Sequence, residues 1–329
     1  MRPTITIGGK YPTAPLRHRS ENPESFKDRL LKSFFIESSD PIKADVFLAL
    51  DYSNLDLKIL KARKSDGKLN ILFRFEPRCV IPDSYKTEVI ALFNEIVTFG
   101  RTQRDDFSEF WPQFYSVEDR NIWRSERLGK AVLINANKIS LETSELYSLR
   151  RACIKKIYSL NNFGADWNIG FFRKSLILLK EIKKSGKIPT PSLFSHLRYW
   201  FTSWGITSAP VSKMQVLQEY KVCLVIENDL EYMSEKLFDA FEAGCIPVYV
   251  GPNIELFEIP KTLVVECSPD VTCIQNKIEK ALSINLSTFQ RELIAWLKSD
   301  KTVNNHHGDI VIRRRIELLR KSLEIHSTD

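Results

Sequence analysis

The sequence predicts an α/β chain of two successive domains, each a parallel sheet covered by helices. Three observations carry this. Short apolar runs alternate with stretches of helical spacing through the first half, and the alternation restarts after the polar RSERLGK (124–130). The composition, 43% hydrophobic and 27% charged over 329 residues, suits two domains of ordinary size with a sizeable core. In the first cycle ADVFLAL (44–50) and NILFRF (70–75) are short and rich in Val, Ile, Leu and Phe, as strands are. SFKDRLLKSFF (25–35) and TEVIALFNE (87–95) carry apolar residues at helical spacing, and EIVTFG (95–100) is strand-like and closes at Gly100.

In the second cycle AVLINA (131–136) ends in Asn135 and Asn137, and a helix is predicted from Glu142 to Ile157. FFRKSLILLKEIKKSGK (171–187) predicts an amphipathic helix stopped at Gly186. The Ser-, Pro- and aromatic-rich stretch 185–212 predicts an irregular excursion. YKVCLVIEN (220–228) reads as a buried strand and SEKLFDAFEAG (234–244) as a helix with Ser234 as N-cap and Gly244 as C-cap. CIPVYVG (245–251) is the next strand, and TLVVEC (262–267) repeats the pattern. The expected division is 1–128, 129–305 and a basic C-terminal helix over 306–329.

The formal net charge is +7. Basic residues gather at 150–187 (Arg150, Arg151, Lys155, Lys156, Arg173, Lys174, Lys180, Lys183, Lys184, Lys187) and near the end (Arg313, Arg314, Arg315, Arg320, Lys321). Such a field attracts nucleotide diphosphates or anionic lipid; a solvated helix face gives the same pattern. No nucleic-acid-binding motif accompanies it, so nucleic acid is not an expected partner. The six cysteines form no CxxC pair and no zinc spacing, and are expected as reduced thiols. No run is long and apolar enough to span a bilayer, and MRPTITIGGKYPTAP lacks the apolar core of a secretory signal. A cytoplasmic location is expected, with the helix 171–187 and the tail 309–325 as candidates for contact with the inner face of an anionic membrane.

The chemistry concentrates in LVIENDLEYMSEKLFDAFEAGCIPVYVGP (224–252), read as strand, loop, helix and strand. Open α/β sheets bind ligands where strands end and helices begin, and Glu227, Asn228, Tyr232, Glu235 and Lys236 fall at that edge. The predicted helix start at Ser234 would offer free N–H groups to a phosphate. Lys236 opposes the macrodipole in a first helical turn, which an anion held nearby would explain; solvated surface residues are the plainer alternative.

In order, Tyr220-Lys221, Glu227-Asn228, Tyr232, Ser234-Glu235-Lys236, Ala240, Ala243-Gly244, Ile246-Pro247-Val248-Tyr249 and Gly251 resemble the signature of family 10 glycosyltransferases, the α-1,3/1,4-fucosyltransferases, over residues 213–252. The resemblance implies a GT-B architecture: two Rossmann-like domains facing across a cleft, with the donor on the C-terminal one. It implies GDP-fucose as donor, a glycan hydroxyl as acceptor and inversion at the anomeric carbon. Lys236 would neutralise the diphosphate, Glu235 would contact sugar or ribose hydroxyls, and Tyr232 and Asn228 would line the nucleotide pocket. Asn135 matches the asparagine ending the first strand of the donor domain, and Lys213 a lysine before the later strand. One position departs from the pattern: Thr143 and Ser144 stand where the family carries an arginine, with Arg150 and Arg151 one turn on as substitutes.

NILFRFEP (70–77) is similar to the family's strand that ends in a glutamate, matching Glu76 to its general base. On the residues alone, a surface ion pair of Glu76 with Arg74 or Arg78 is the plainer reading. No DxD motif and no phosphate-binding GxxxxGK[ST] occurs, so no metal or other cofactor is expected, and His306-His307 reads as loop. The expectation is an inverting fucosyltransferase; the alternatives are a same-fold transferase using another nucleotide sugar, or a non-catalytic sugar- or nucleotide-binding module.

Overall fold

Thr and Ile alternate through TITIGG, and this stretch forms β1 (Thr4–Gly9), a strand absent from the expected elements although its period-2 pattern is that of one. The computed structural model describes residues 3–11, 35–98, 123–124, 126–186, 197–198, 200–201, 212–307, 310 and 317, with the backbone of 107–108. It divides the chain into two compact units, Met1–Ser116 with Asp300–Asp329 and Val117–Ser299. Residues 117–128 therefore group with the second unit and the C-terminal stretch with the first. The predicted helix at 25–35, most of 185–212 and the basic tail 309–325 lie outside the described residues.

In the first unit β2 (Ile36–Glu37), β3 (Val46–Leu50), β4 (Leu69–Phe73), β5 (Glu95–Val97) and β6 (Phe107–Ser108) join β1 in one parallel sheet of order β2-β1-β3-β4-β5-β6. β3 and β4 are buried at every position, as a sheet covered on both faces requires. Val46, Leu48 and Leu50 pack on one face with Ile71 and Phe73; Phe47 and Ala49 pack on the other with Leu72 and with Leu60 of α1 (Leu57–Ser65). Asn70 sits buried inside β4 because its amide is fully used: it accepts from Arg63 Nε at 2.8 Å and donates to the Leu60 and Leu92 carbonyls.

The helix predicted over 87–95 is the single turn α2 (Thr87–Ile90). The chain leaves the helix so that Asn94 can pair with β4, its Oδ1 accepting from Asn70 N at 2.9 Å.

In the second unit β7 (Leu128–Ile134), β8 (Leu160–Phe163), β9 (Tyr220–Ile226), β10 (Ile246–Val250) and β11 (Val265–Glu266) form a parallel sheet of order β11-β10-β9-β7-β8. The helices are α3 (Tyr147–Lys156), α4 (Phe171–Ser185), α5 (Lys213–Glu219), α6 (Lys236–Glu242), α7 (Val271–Ser283) and α8 (Leu286–Leu297). α7 buries Ile274, Ile278 and Ala281, one helical face, and starts at Asp270, whose Oδ1 accepts from Cys273 N at 2.8 Å. Gly244 follows α6 at φ +68 against the Trp123 ring, a place for glycine alone. α9 (Asp300–His306) belongs to the first unit, and His306, predicted as loop, is buried at its end. All six cysteines are free thiols.

Candidate functional site

The sheet of the second unit reverses its order of build-up between β7 and β9. Open parallel sheets take ligands in the crevice outside the strand ends at such a reversal. Asn135 follows β7 and Glu227 follows β9.

The segments after these strands pair with one another, which corrects the helix predicted from Glu142. Ser144 Oγ donates to Asp229 Oδ2 at 2.6 Å, Leu146 N to the Asn228 carbonyl and Leu230 N to the Ser144 carbonyl. Residues 142–146 are spent on this pairing, so α3 starts only at Tyr147, where Glu145 Oε2 accepts from Tyr147 N at 2.6 Å and from Ser148 N at 3.1 Å.

A small cavity of about 10 Å³, room for a single water, lies beside this framework and is lined by Ile134, Asn135, Lys213, Leu217, Cys223, Leu224, Val225 and Lys236. It brings together three of the predicted site residues, Asn135, Lys213 and Lys236. Each lysine reaches it already braced by a carboxylate that does not itself line it. Glu227, fully buried, holds Lys236 Nζ at 3.2 Å, and accepts from Ser234 N at 3.0 Å and Ser234 Oγ at 2.6 Å. Lys236 Nζ also donates to Ser234 Oγ at 2.7 Å. Lys213 forms an ion pair with Asp239. Burial pulls the Lys213 ammonium down, but the Asp239 and Glu235 carboxylates outweigh it and the pKa is raised, so the charge is secure. Asn135 is nearly buried, its carbonyl accepting from Trp167 Nε1 at 2.7 Å. Gly164, at φ +147, lies so close that a Cβ would stand 1.9 Å from the Asn135 carbonyl oxygen.

The remaining predicted residues frame this site. Asn228 Oδ1 accepts from Arg150 Nη2 at 2.9 Å, and Tyr232 bridges back to Asp229. Glu235 precedes α6 and makes no cap bond through its side chain. Two expectations change. α6 has only 7 residues, and Ser234 is committed to Glu227 and Lys236, so no long helix offers its amide terminus to a phosphate. Arg150 and Arg151 are buried braces: Arg150 Nη2 donates to the Ile226 carbonyl at 2.7 Å beneath the end of β9, and Arg151 Nη1 donates to the Lys138 carbonyl with its guanidinium over the Trp200 ring. Burial pulls Arg151 down to about 10.

Glu76 lies in the first unit, just past β4. It is partly buried, and its carbonyl accepts from Tyr85 Oη at 2.9 Å. Its backbone N–H is directed at Asp51 Oδ1. Asp51 and Asp239 are the residues that sequence reading missed. A charged residue directly after the strand run VFLAL was the available signal for Asp51; Lys236 and Asp239 at i and i+3 on a largely apolar helix was the signal for Asp239.

No family model matches the chain. An 88-residue segment is 35% identical to a fucosyltransferase-like protein of Arabidopsis thaliana, covering 25% of this chain and 17% of that protein. The chain thus spans only a small part of the length of the curated relative it matches. Among solved structures, an α1,3-fucosyltransferase superposes over 98% of this chain and 90% of its own, with a TM-score of 0.57 at 11% identity. Anabaena HepE in complex with UDP and glucose superposes over 97% of this chain and 100% of its own, with a TM-score of 0.53 at 8% identity. Sucrose-phosphate synthase of Thermosynechococcus elongatus covers 95% of this chain and 82% of its own, with a TM-score of 0.50 at 11% identity. With two parallel α/β sheets and these similarities, the chain has the fold of GT-B glycosyltransferases.

Proposed function

We propose that this chain is an inverting fucosyltransferase of family 10, moving fucose from GDP-fucose to a glycan hydroxyl. The single observation that carries the donor half is the convergence of Lys213, Lys236 and Asn135 beside the strand ends at the reversal of the second sheet. Two fixed ammonium groups suit a nucleoside diphosphate, and their bracing carboxylates keep them in place without lining the cavity. Cations held still where charge develops stabilise a leaving diphosphate without reorganisation. The choice of fucose and GDP rests on the signature at 213–252 and on the fucosyltransferase-like relative.

In the proposed reaction the acceptor oxygen attacks the anomeric carbon, the bond from that carbon to the diphosphate oxygen breaks, and GDP leaves with the electron pair. The acceptor proton passes to the Glu76 carboxylate. Lys236 and Lys213 meet the charge on the diphosphate. With those cations in that role, transfer is expected to continue in EDTA; activity lost on chelation and restored by Mn²⁺ would overturn this part.

The direct test is thermal stability with added nucleotide, since a ligand that binds only the folded state raises it. GDP and GDP-fucose are expected to raise the melting temperature, and UDP much less. HepE binds UDP on the same fold, so a UDP-sugar is the second reading, and an equal shift with UDP would favour it. Binding of GDP-fucose without hydrolysis or transfer would leave a pure binding module.

A peripheral membrane contact is part of this proposal and has its own observation. α4 turns Phe171, Phe172, Leu176 and Leu179 outward, at 65%, 86%, 59% and 61% exposure, and buries Lys174 and Glu181. Arg173, Lys180 and Lys183 are exposed beside these apolar residues, while Glu181, the helix's one acid, is turned inward and paired with Lys184. An apolar face edged by cations suits an anionic lipid surface. Co-sedimentation with phosphatidylserine-containing vesicles that ignores both lipid charge and salt would remove it. Among the described residues no helix is long and apolar enough to cross a membrane.

A further inference from the structure

The first sheet also has a reversal. In the order β2-β1-β3-β4-β5-β6 it falls between β1 and β3, so Gly9 and Leu50 end the two strands that flank the crevice. The backbones there are in close contact: Gly9 has φ +94, and a Cβ on it would stand 2.3 Å from the Asp51 carbonyl oxygen. Asp51 itself has φ +53, a left-handed conformation that Asp adopts more readily than most residues with a Cβ.

Asp51 is fully buried, and its polar atoms tie three strand ends together. Its N–H donates to the Phe73 carbonyl at the end of β4, and its carbonyl accepts from Lys10 N beyond β1. Its Oδ1 accepts from Phe75 N at 3.0 Å, with Glu76 N at 3.4 Å. Its Oδ2 is buried with no hydrogen-bond partner. A buried ionised carboxylate with a bare oxygen is far costlier than a neutral carboxyl.

Among the described residues, the charged groups whose fields reach it are Glu76 and Arg74. Arg74 is engaged elsewhere, donating to the Ser84 carbonyl at 2.8 Å with its guanidinium 4.1 Å from the Tyr85 ring centre. Burial first, then the Glu76 charge, push the Asp51 carboxyl up to about 8, against the opposing pull of the Glu76 and Phe75 amides and of Arg74.

We propose that Asp51 is the positioning residue for Glu76: Oδ1 fixes the turn on which Glu76 stands, and Oδ2 carries a proton, leaving Glu76 as the member of the pair that takes up the acceptor's proton. This inference rests on the reading of Glu76 as the base.

The test compares Asp51→Asn and Asp51→Ala with wild type in the full chain. Turnover of GDP-fucose is measured at neutral pH, and urea unfolding from about pH 5 to about pH 9. Asn keeps an acceptor in place of Oδ1; Ala removes it. Asp51→Ala is expected to lower kcat by roughly 10- to 100-fold through misplacement of Glu76, with KM for the donor unchanged, and Asp51→Asn to recover most of that loss.

The folded-state value of Asp51 lies above its unfolded value of about 3.9. The folded protein therefore holds the extra proton between the two. That contribution to stability is full below about pH 4 and is lost as pH rises through about 8. Wild type is thus expected to lose stability relative to Asp51→Asn between pH 5 and 9. Asn as inactive as Ala, or parallel stability curves for wild type and Asp51→Asn, would overturn the proposal. If wild type itself does not turn over GDP-fucose, the donor reading fails, and the stability curves still decide whether Asp51 carries the proton.

Discussion

The two sheet reversals of this chain handle charge in opposite ways. At the second, both lysines are matched: Lys236 with Glu227 and Lys213 with Asp239. At the first, two carboxyl groups share one another's field and the buried one has an oxygen with no partner. A matched pair holds position and binds an anion in the ground state. A mismatched pair resolves its conflict through a proton, which is what a base needs. In the proposed reaction, binding and proton transfer call for different electrostatic environments, and the two reversals differ in that sense.

The largest expected effect breaks the comparison cleanly. Glu76→Gln keeps the size and removes the proton affinity, so turnover is expected to fall by roughly 10²–10⁴-fold while GDP binding, read by calorimetry, stays as it was. Near wild-type turnover would place the base elsewhere and leave the lysine site untouched.

Lys236→Ala comes next and carries a different signature. It removes a cation present in ground and transition states, so both GDP affinity and rate are expected to drop. It also leaves buried Glu227 with only the Ser234 amide and hydroxyl as donors. Breaking a buried pair from one side costs about 3 kcal/mol or more, which urea unfolding would register. Unchanged stability would mean that Glu227 does not need the lysine.

Arg150→Lys sharpens the distinction between brace and ligand. Its bonds to the Ile226 carbonyl and Asn228 Oδ1 would be lost or lengthened, for about 1–3 kcal/mol of stability. GDP affinity is expected to change less than in Lys236→Ala; a larger loss of affinity would return Arg150 to the phosphate clamp.

The smallest effect concerns α4. The double variant Leu176→Ser, Leu179→Ser alters two outward residues, so stability is expected to stay within about 0.5 kcal/mol while binding to anionic vesicles falls. A marked loss of stability would show that this face is covered in the folded protein.

Much of the fold was legible because parallel strands buried on both faces are continuous apolar runs. VFLAL, KVCLVI and IPVYV announce themselves. TITIGG is no such run: β1 is only partly buried, and its signal was the alternation of Thr and Ile, which went unread. The helix predicted from Glu142 has acceptable spacing, but Ser144 and Leu146 found partners in the segment after β9, a choice made by residues more than 80 positions away. For the site, Asn135, Lys213 and Lys236 could be picked from one stretch and one strand end. The burial of Arg150 and Arg151 could not be read, because charge is visible in a sequence and burial is not: a surface cation and a buried brace are spelled alike.

By itself the sequence determined the class of fold, through runs whose burial leaves no other packing, and the edge on which the chemistry lies, through polar residues set directly after those runs. Tertiary structure alone decided who partners whom. It gave Lys236 to Glu227 and Lys213 to Asp239, and it set the Asp51 carboxyl under the amides of Phe75 and Glu76. The reason is physical. Hydrophobic burial is non-directional and follows composition and period, so it can be read along the chain. Hydrogen bonds and charge pairs depend on distances of a few ångströms between residues far apart in sequence, and those distances exist only once the strands are laid side by side.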